Sequence, residues 1–255
     1  MTDGGTRYSL SGVCIIGATN ATDGLLNLKK LVYEQNVYTM REMLDALAVD
    51  FEGYEQMRQR LLHQSVRFGN DVAEADAMAN RVYAVHASFN SAHADARGGH
   101  YTNGVWPVNS HIFSGSHTAA SPDGRHSGMP LVDGVGPVQG TDHAGPTALL
   151  RSVASLNNIE QWDGGNTCNI KFSSSAVRTE NALRNLGCLA AAFMKLGGQE
   201  LQINVVDNAV LLDAQEHPER YQDLVVRVAG YSAYFTRLSR EVQNEVISRN
   251  TQETG

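Results

Sequence analysis

Leu224-Val225-Val226-Arg227-Val228-Ala229-Gly230-Tyr231-Ser232-Ala233-Tyr234-Phe235 sets one glycine between two bulky apolar runs, directly after a stretch, Leu224–Val228, that reads as a buried strand. A glycine at a strand end has an ordinary structural use, because it enters the left-handed φ region without steric cost. It also has a chemical use. With no side chain its Cα can flatten, so an unpaired electron there is shared between the amide nitrogen and the carbonyl. A β-carbon would hinder that planarity and the approach of a hydrogen-abstracting partner. On local grounds both uses stay open.

Outward from this segment, short apolar runs alternate with helical patterns. Leu201–Val206 reads as a buried strand, Ala209–Gln215 as a helix and Leu238–Ile247 as a final amphipathic helix. Upstream, Thr147–Leu156 and Glu180–Lys195 read as helices, the second closed by Gly197-Gly198. That alternation argues an α/β architecture with parallel strands. Residues 20–95 are helical in idiom, with Leu25, Leu28 and Val32 as an apolar stripe and a capping box in Thr39-Met40-Arg41-Glu42. Residues 96–146 are dense in Gly, Pro, Asp, Ser and His and show little periodicity; a loop-rich stretch of that length is commonly functional.

Composition narrows the function classes. Of 255 residues, 42% are hydrophobic and 18% charged, below the usual share of about 25%. Much surface is therefore expected to be buried, in the chain's own core or against a partner. With 20 Lys+Arg against 27 Asp+Glu, the net charge of -7 leaves no basic stripe for phosphates, so nucleic-acid binding is not expected. The longest apolar run, Cys188–Met194, is far short of the ~20 residues a membrane helix requires. No secretory signal is visible at Met1-Thr2-Asp3-Gly4-Gly5, and a reduced cytoplasmic setting is expected.

Other signals are weak. Gly134-x-Gly136-x-x-x-Gly140 has the wrong spacing for a dinucleotide loop and contains Pro137. The histidines form no H-E-x-x-H and no i, i+4 pair on a helix, and Cys14, Cys168 and Cys188 are too scattered for a disulfide framework or a zinc motif, so no metal is expected.

Several motifs agree in order and spacing. Arg227-Val228-Ala229-Gly230-Tyr231, 25 residues from the end of the chain, resembles the radical-bearing motif of the glycyl radical enzymes, the pyruvate formate-lyase superfamily. Upstream, Ser121-Pro122-Asp123-Gly124-Arg125, Gly128-x-Pro130-Leu131-x-Asp133-Gly134, Gly140-x-Asp142 and Gly145-Pro146-Thr147 are similar to the family's long ordered loop. Asn166–Phe172 resembles its N-x-K/R-F stretch, and Leu201-Gln202-Ile203-Asn204-Val205 its Q-F-N-V strand with Ile203 in place of the aromatic. Asp213-Ala214-Gln215 and His217-Pro218-Glu219-Arg220-Tyr221 resemble the helix and turn that lead into the radical loop. Ala229 and Ser232-Ala233-Tyr234-Phe235 look more like the dehydratase and decarboxylase branch than pyruvate formate-lyase (formate acetyltransferase) proper.

The resemblance implies the C-terminal part of a ten-stranded α/β barrel with the glycine loop inside it. Residues 1–134 would be the C-terminal part of the barrel domain and 135–255 the glycine radical domain. It implies Gly230 as the radical carrier, a post-translational modification with no permanently bound cofactor. Arg227, Val228, Ala229, Tyr231 and Ser232 would shape the radical loop, and Asn166, Cys168 and Asn169 are candidates for a substrate pocket. The implied partners are a radical S-adenosylmethionine activating enzyme, an N-terminal Cys-bearing part of the same enzyme and a small-molecule substrate, in an oligomer. None of Cys14, Cys168 and Cys188 sits in the family's Gly-Cys-x-Glu setting, so the thiyl-forming Cys is expected outside this chain. Two other readings are a replacement subunit that restores the loop of an oxygen-damaged enzyme and an α/β binding domain with an unrelated glycine.

Overall fold

The computed structural model describes residues 7, 10–156, 162–228 and 230–252. Its backbone is two sets of parallel strands joined by a single bridge. β1 (Leu10–Cys14) lies parallel to β2 (His100–Gly104), with Leu10 opposite His100 and Cys14 opposite Gly104. β2 passes its edge to β3 (Thr167–Phe172) through Val105, whose N–H donates to Gly165 O and whose carbonyl accepts from Thr167 N. β3 pairs in parallel with β4 (Glu200–Val205) along its whole length, and at its end with β7 (Thr251–Gln252). Parallel neighbours require long crossovers, and the helices supply them.

α1 (Ala18–Asn27) and α4 (Ala73–Ser91) pack together between β1 and β2, while α7 (Glu180–Lys195) joins β3 to β4. The main core lies on one face of β3. Cys168, Ile170 and Phe172 point into it and meet Tyr83 of α4, Leu149, Leu150 and Val153 of α6 (Pro146–Ser155), Trp162, and Phe193 of α7. Strand alternation then sends Asn169 and Lys171 to the opposite, polar face.

α1 runs on into a π-helical stretch, Leu28–Glu34, in which Gln35 N donates to Lys30 O. Widening the helix there shifts its side-chain azimuth. Leu31 and Val32 are buried and Leu28 packs against the same cluster, so the expected Leu25-Leu28-Val32 stripe holds at Leu28 and Val32 and fails at Leu25, which is largely exposed while its neighbour Leu26 is buried. α2 (Met40–Ala48) opens on the expected capping box: Glu42 N donates to Thr39 Oγ1 at 3.1 Å and Thr39 N donates to Glu42 Oε2 at 2.7 Å. Thr39→Ala should lower stability by about 1 kcal/mol, read as a shift of the urea midpoint without a change in slope.

After α5 (Ser110–Ser116), residues 117–145 carry no regular element and are held by buried polar side chains. Arg67 is fully buried and donates to Asp23 at 3.0 Å and to the carbonyls of Leu61 and Asp123. Arg125 donates to the carbonyls of Thr118, Ala119, His126 and Met129, and Asn20 bridges Asp123 and Val132 N. Arg67 Nε alone of that guanidinium is left without a partner; the other bonds tie the loop to α1 and to its own backbone, which holds a stretch of this length in place inside the fold.

A second cluster holds the C-terminal part. Leu211 and Ala214 of α8 (Asn208–Glu216) pack with Val226, Val228, Phe235 and with Val242 and Val246 of α9 (Arg240–Ser248). The segment expected as a buried strand of the parallel alternation is instead half of a hairpin. β5 (Val225–Arg227) pairs antiparallel with β6 (Ser232–Tyr234), and Val225 is 51% exposed. The chain reverses at Gly230 before it can extend into the sheet.

Candidate radical-loop site

Gly230 sits at the reversal with φ 78°, in the left-handed region. A Cβ built there would meet nothing nearer than Gln202 Nε2 at 4.0 Å, so backbone conformation and not crowding is the local demand for glycine. The reversal is closed by Val228 N donating to Tyr231 O at 2.9 Å. Gly230, Tyr231 and Ser232 are exposed, whereas Val228 is buried.

The polar faces of β3 and β4 hold this hairpin from below. Register sets Asn169 opposite Gln202 and Lys171 opposite Asn204. Asn204 grips the Arg227 backbone at both ends, accepting from its N–H at 2.7 Å and donating to its carbonyl at 2.8 Å. A side-chain amide thereby imitates a neighbouring strand and joins β5 to β4 without a backbone ladder. Gln202 Oε1 accepts from Gly230 N at 3.2 Å, and Asn169 Nδ2 donates to Val228 O at 3.4 Å.

A buried charge cluster completes the support. Arg249 donates to Val228 O at 2.8 Å and to Arg227 O at 3.3 Å, the two carbonyls just ahead of the loop. The same guanidinium meets Asp133 at 3.2 Å and forms a two-point pair with Glu245 at 2.8 and 3.0 Å, all three side chains at most 5% exposed. Burial pushes the Glu245 carboxyl up, and Arg249 opposes it. Asp133 also accepts from Asn169 at 2.7 Å. Lys171 Nζ donates to Asn208 Oδ1 and to the carbonyls of Val246 and Ile247, closing the end of α9 one turn ahead of Arg249. Burial, with Arg249 nearby, lowers the Lys171 ammonium to about 8. Among these side chains lies a cavity of about 20 Å³, room for about one water.

The expected site residues divide. Arg227, Val228, Gly230, Tyr231 and Ser232 form the loop: Arg227 Nη1 donates to Ser232 Oγ, and Tyr231 Oη accepts from Asn109. Ala229 lies outside the described residues. Asn169 faces the loop. Asn166 is buried at the start of β3, where its N–H donates to Gln199. Cys168 is corrected: strand alternation turns it into the apolar core, away from Asn169, and burial drives its thiol far above the ordinary range. Cys14 accepts from Trp106 N, and Cys188 is exposed on α7. Among the described residues no His, Cys, Asp and Glu cluster suits a metal, and no helix is long and apolar enough to cross a membrane.

Gln202, Asn204, Asp133, Glu245, Lys171 and Arg249 were not anticipated as loop supports. Gln202 and Asn204 carried a signal, as amides spaced by two in an otherwise apolar strand.

Two family profiles match the chain. That of the family described as pyruvate formate lyase-like covers residues 1–115, and that described as glycine radical covers residues 131–236. The chain is 36% identical to trans-4-hydroxy-L-proline dehydratase of Clostridioides difficile, over 98% of this chain and 31% of that protein. It is 37% identical to the probable dehydratase YbiW of Escherichia coli (strain K12), over 96% of this chain and 31% of that one. Its fold matches the glycerol-bound B12-independent glycerol dehydratase from Clostridium butyricum with a TM-score of 0.94 at 39% identity, covering 98% of this chain and 32% of that one. The chain thus spans about a third of the length of the curated relatives it matches, and its strands are part of the barrel of these structures. Profiles, relatives and fold agree: the chain belongs to the glycyl radical enzymes of the pyruvate formate-lyase superfamily and corresponds to their C-terminal portion.

Proposed function

We propose that this chain is the radical-bearing part of an anaerobic radical lyase of the dehydratase, decarboxylase or C–N/C–S lyase type. The observation that carries the reading is Gly230 itself. It stands exposed at the tip of a hairpin whose base is clamped at the carbonyls of Arg227 and Val228 and whose amide is held by Gln202. Such a loop leaves its Cα accessible while the backbone on which the electron would spread is held. A separate activating enzyme, using S-adenosylmethionine and an iron–sulfur cluster, removes one hydrogen atom from the Gly230 Cα. The stored radical then takes a hydrogen atom from a Cys on an N-terminal part outside this chain. That thiyl takes one from a small-molecule substrate and later returns it.

The role of these residues is to store the radical and hold it in place. Because nothing among the described residues covers the loop tip, the Cys-bearing part supplies the shield from water and oxygen, in an oxygen-free cytoplasm. Relatives named as dehydratases, isethionate sulfite-lyases and an indoleacetate decarboxylase support the reaction class.

The test is anaerobic activation of the chain together with its Cys-bearing part, using S-adenosylmethionine and an activating enzyme proven on a related protein. A doublet near the free-electron g value in the EPR spectrum, followed by backbone scission at Gly230 in air, is expected. Silence under these conditions rejects a radical role. A radical without turnover of any substrate, combined with binding to an oxygen-cleaved enzyme, would instead favour the replacement subunit.

A further inference from the structure

Gln202 has a geometry that the clamps on Arg227 and Val228 do not share, because it engages the glycine itself. Its side chain is 3% exposed, and its Oε1 accepts from Gly230 N at 3.2 Å. Its Nε2 donates to Glu200 Oε1 at 2.7 Å, and the second carboxylate oxygen accepts from Thr167 Oγ1 at 2.8 Å. The two partners fix the amide orientation: a backbone N–H requires the oxygen and a carboxylate requires the nitrogen. The chain of contacts runs from a fixed negative charge, through a polarised amide, to the nitrogen next to the Gly230 Cα. Charge-assisted hydrogen bonds are the stronger kind, and linked bonds reinforce one another.

We propose that Gln202, polarised by Glu200, is a positioning residue that tunes the spin distribution of the Gly230 radical. The inference rests on the radical reading above. An electron at a glycyl Cα is stabilised by donation from the amide nitrogen and withdrawal by the carbonyl. A hydrogen bond from that N–H to a strong acceptor raises electron density on the nitrogen and so strengthens the donating half. It also holds the peptide plane when the Cα flattens. Asn204 and Arg249, which bind one peptide or more upstream, fix the loop but do not reach this nitrogen.

The test uses the full chain in two arms. Before activation, amide hydrogen exchange at Gly230 is measured in wild type, Gln202→Leu and Glu200→Gln. Exposed residues exchange freely unless hydrogen-bonded, so protection at this exposed position reports the contact. Protection in wild type and a loss of about tenfold in Gln202→Leu are expected, the effect of one hydrogen bond. Glu200→Gln keeps an acceptor for Gln202 Nε2 but removes the charge, at an exposed position that leaves the fold intact; it should fall between the two. After activation with the Cys-bearing part, Gln202→Leu should widen the doublet splitting as spin moves from nitrogen to Cα, with a smaller widening in Glu200→Gln. A role confined to packing would not graded-shift the spectrum with the Glu200 charge. Free exchange of the wild-type Gly230 amide, or spectra indistinguishable across the three proteins, overturns the inference. A wild-type chain that shows protection but no doublet rejects the radical role while leaving the hydrogen-bond chain established, so the two failures are told apart.

Discussion

Gly230→Ala is expected to abolish the radical while leaving the fold nearly intact. At φ 78° an alanine is strained, but the space around its Cβ is open, with Gln202 Nε2 the nearest atom at 4.0 Å. The cost is then backbone strain alone, about 1–2 kcal/mol. The chemistry suffers far more. A Cβ on an exposed hairpin tip stands in the path of the abstracting partner and opposes the flattening of the peptide around Cα. The measurement is paired: urea unfolding for stability, and EPR spin count with intact mass after air exposure for the radical. A loss above about 3 kcal/mol would show that crowding, not φ, selects glycine here. A wild-type spin count in the alanine protein would place the radical elsewhere.

Arg249→Ala should destabilise the chain by about 3–5 kcal/mol, because it removes the one cation paired directly with the buried carboxylates of Asp133 and Glu245 among the described residues. It also removes the donor that Val228 O and Arg227 O share, so the base of the glycine hairpin should exchange its amides faster. The pH dependence has a definite sign. Burial already holds the Glu245 carboxyl above its ordinary value, and loss of Arg249 raises it further. The folded state then binds the proton more tightly than the unfolded chain. The variant should be least impaired where both proteins keep Glu245 protonated, and its deficit should grow as pH rises from the already raised wild-type value through the still higher value in the variant. Arg249→Lys tests geometry against charge: it restores the cation but not the fork that spans two carbonyls and two carboxylates. A deficit below about 1 kcal/mol, or one that does not change with pH, would show that the cluster is not the anchor described.

Why the supports escaped a reading of the chain is visible in Asn169 and Cys168. They are neighbours of similar local character, and their alternation on β3 is readable only once β3 is known to have an apolar core on one side and the hairpin on the other. Val225 makes the same point: its run of β-branched neighbours argues a buried strand, and the turn at Gly230 makes it an exposed member of a hairpin.

From its residues alone the chain yields its α/β alternation, the capping box at Thr39, the ordered loop motifs and Gly230 as the residue of chemical interest. These depend on local propensity, period and motif order, which act over a few residues or survive as a fixed succession along the chain. The assembly beneath the glycine is of another kind. Asp133, Asn169, Gln202, Asn204, Glu245 and Arg249 come from separate loops, strands and a helix end, joined by parallel register across long crossovers. Nothing short-range dictates that register. It is set by burying the apolar face of β3 and β4 against the helices, and that packing carries the polar face to the radical loop.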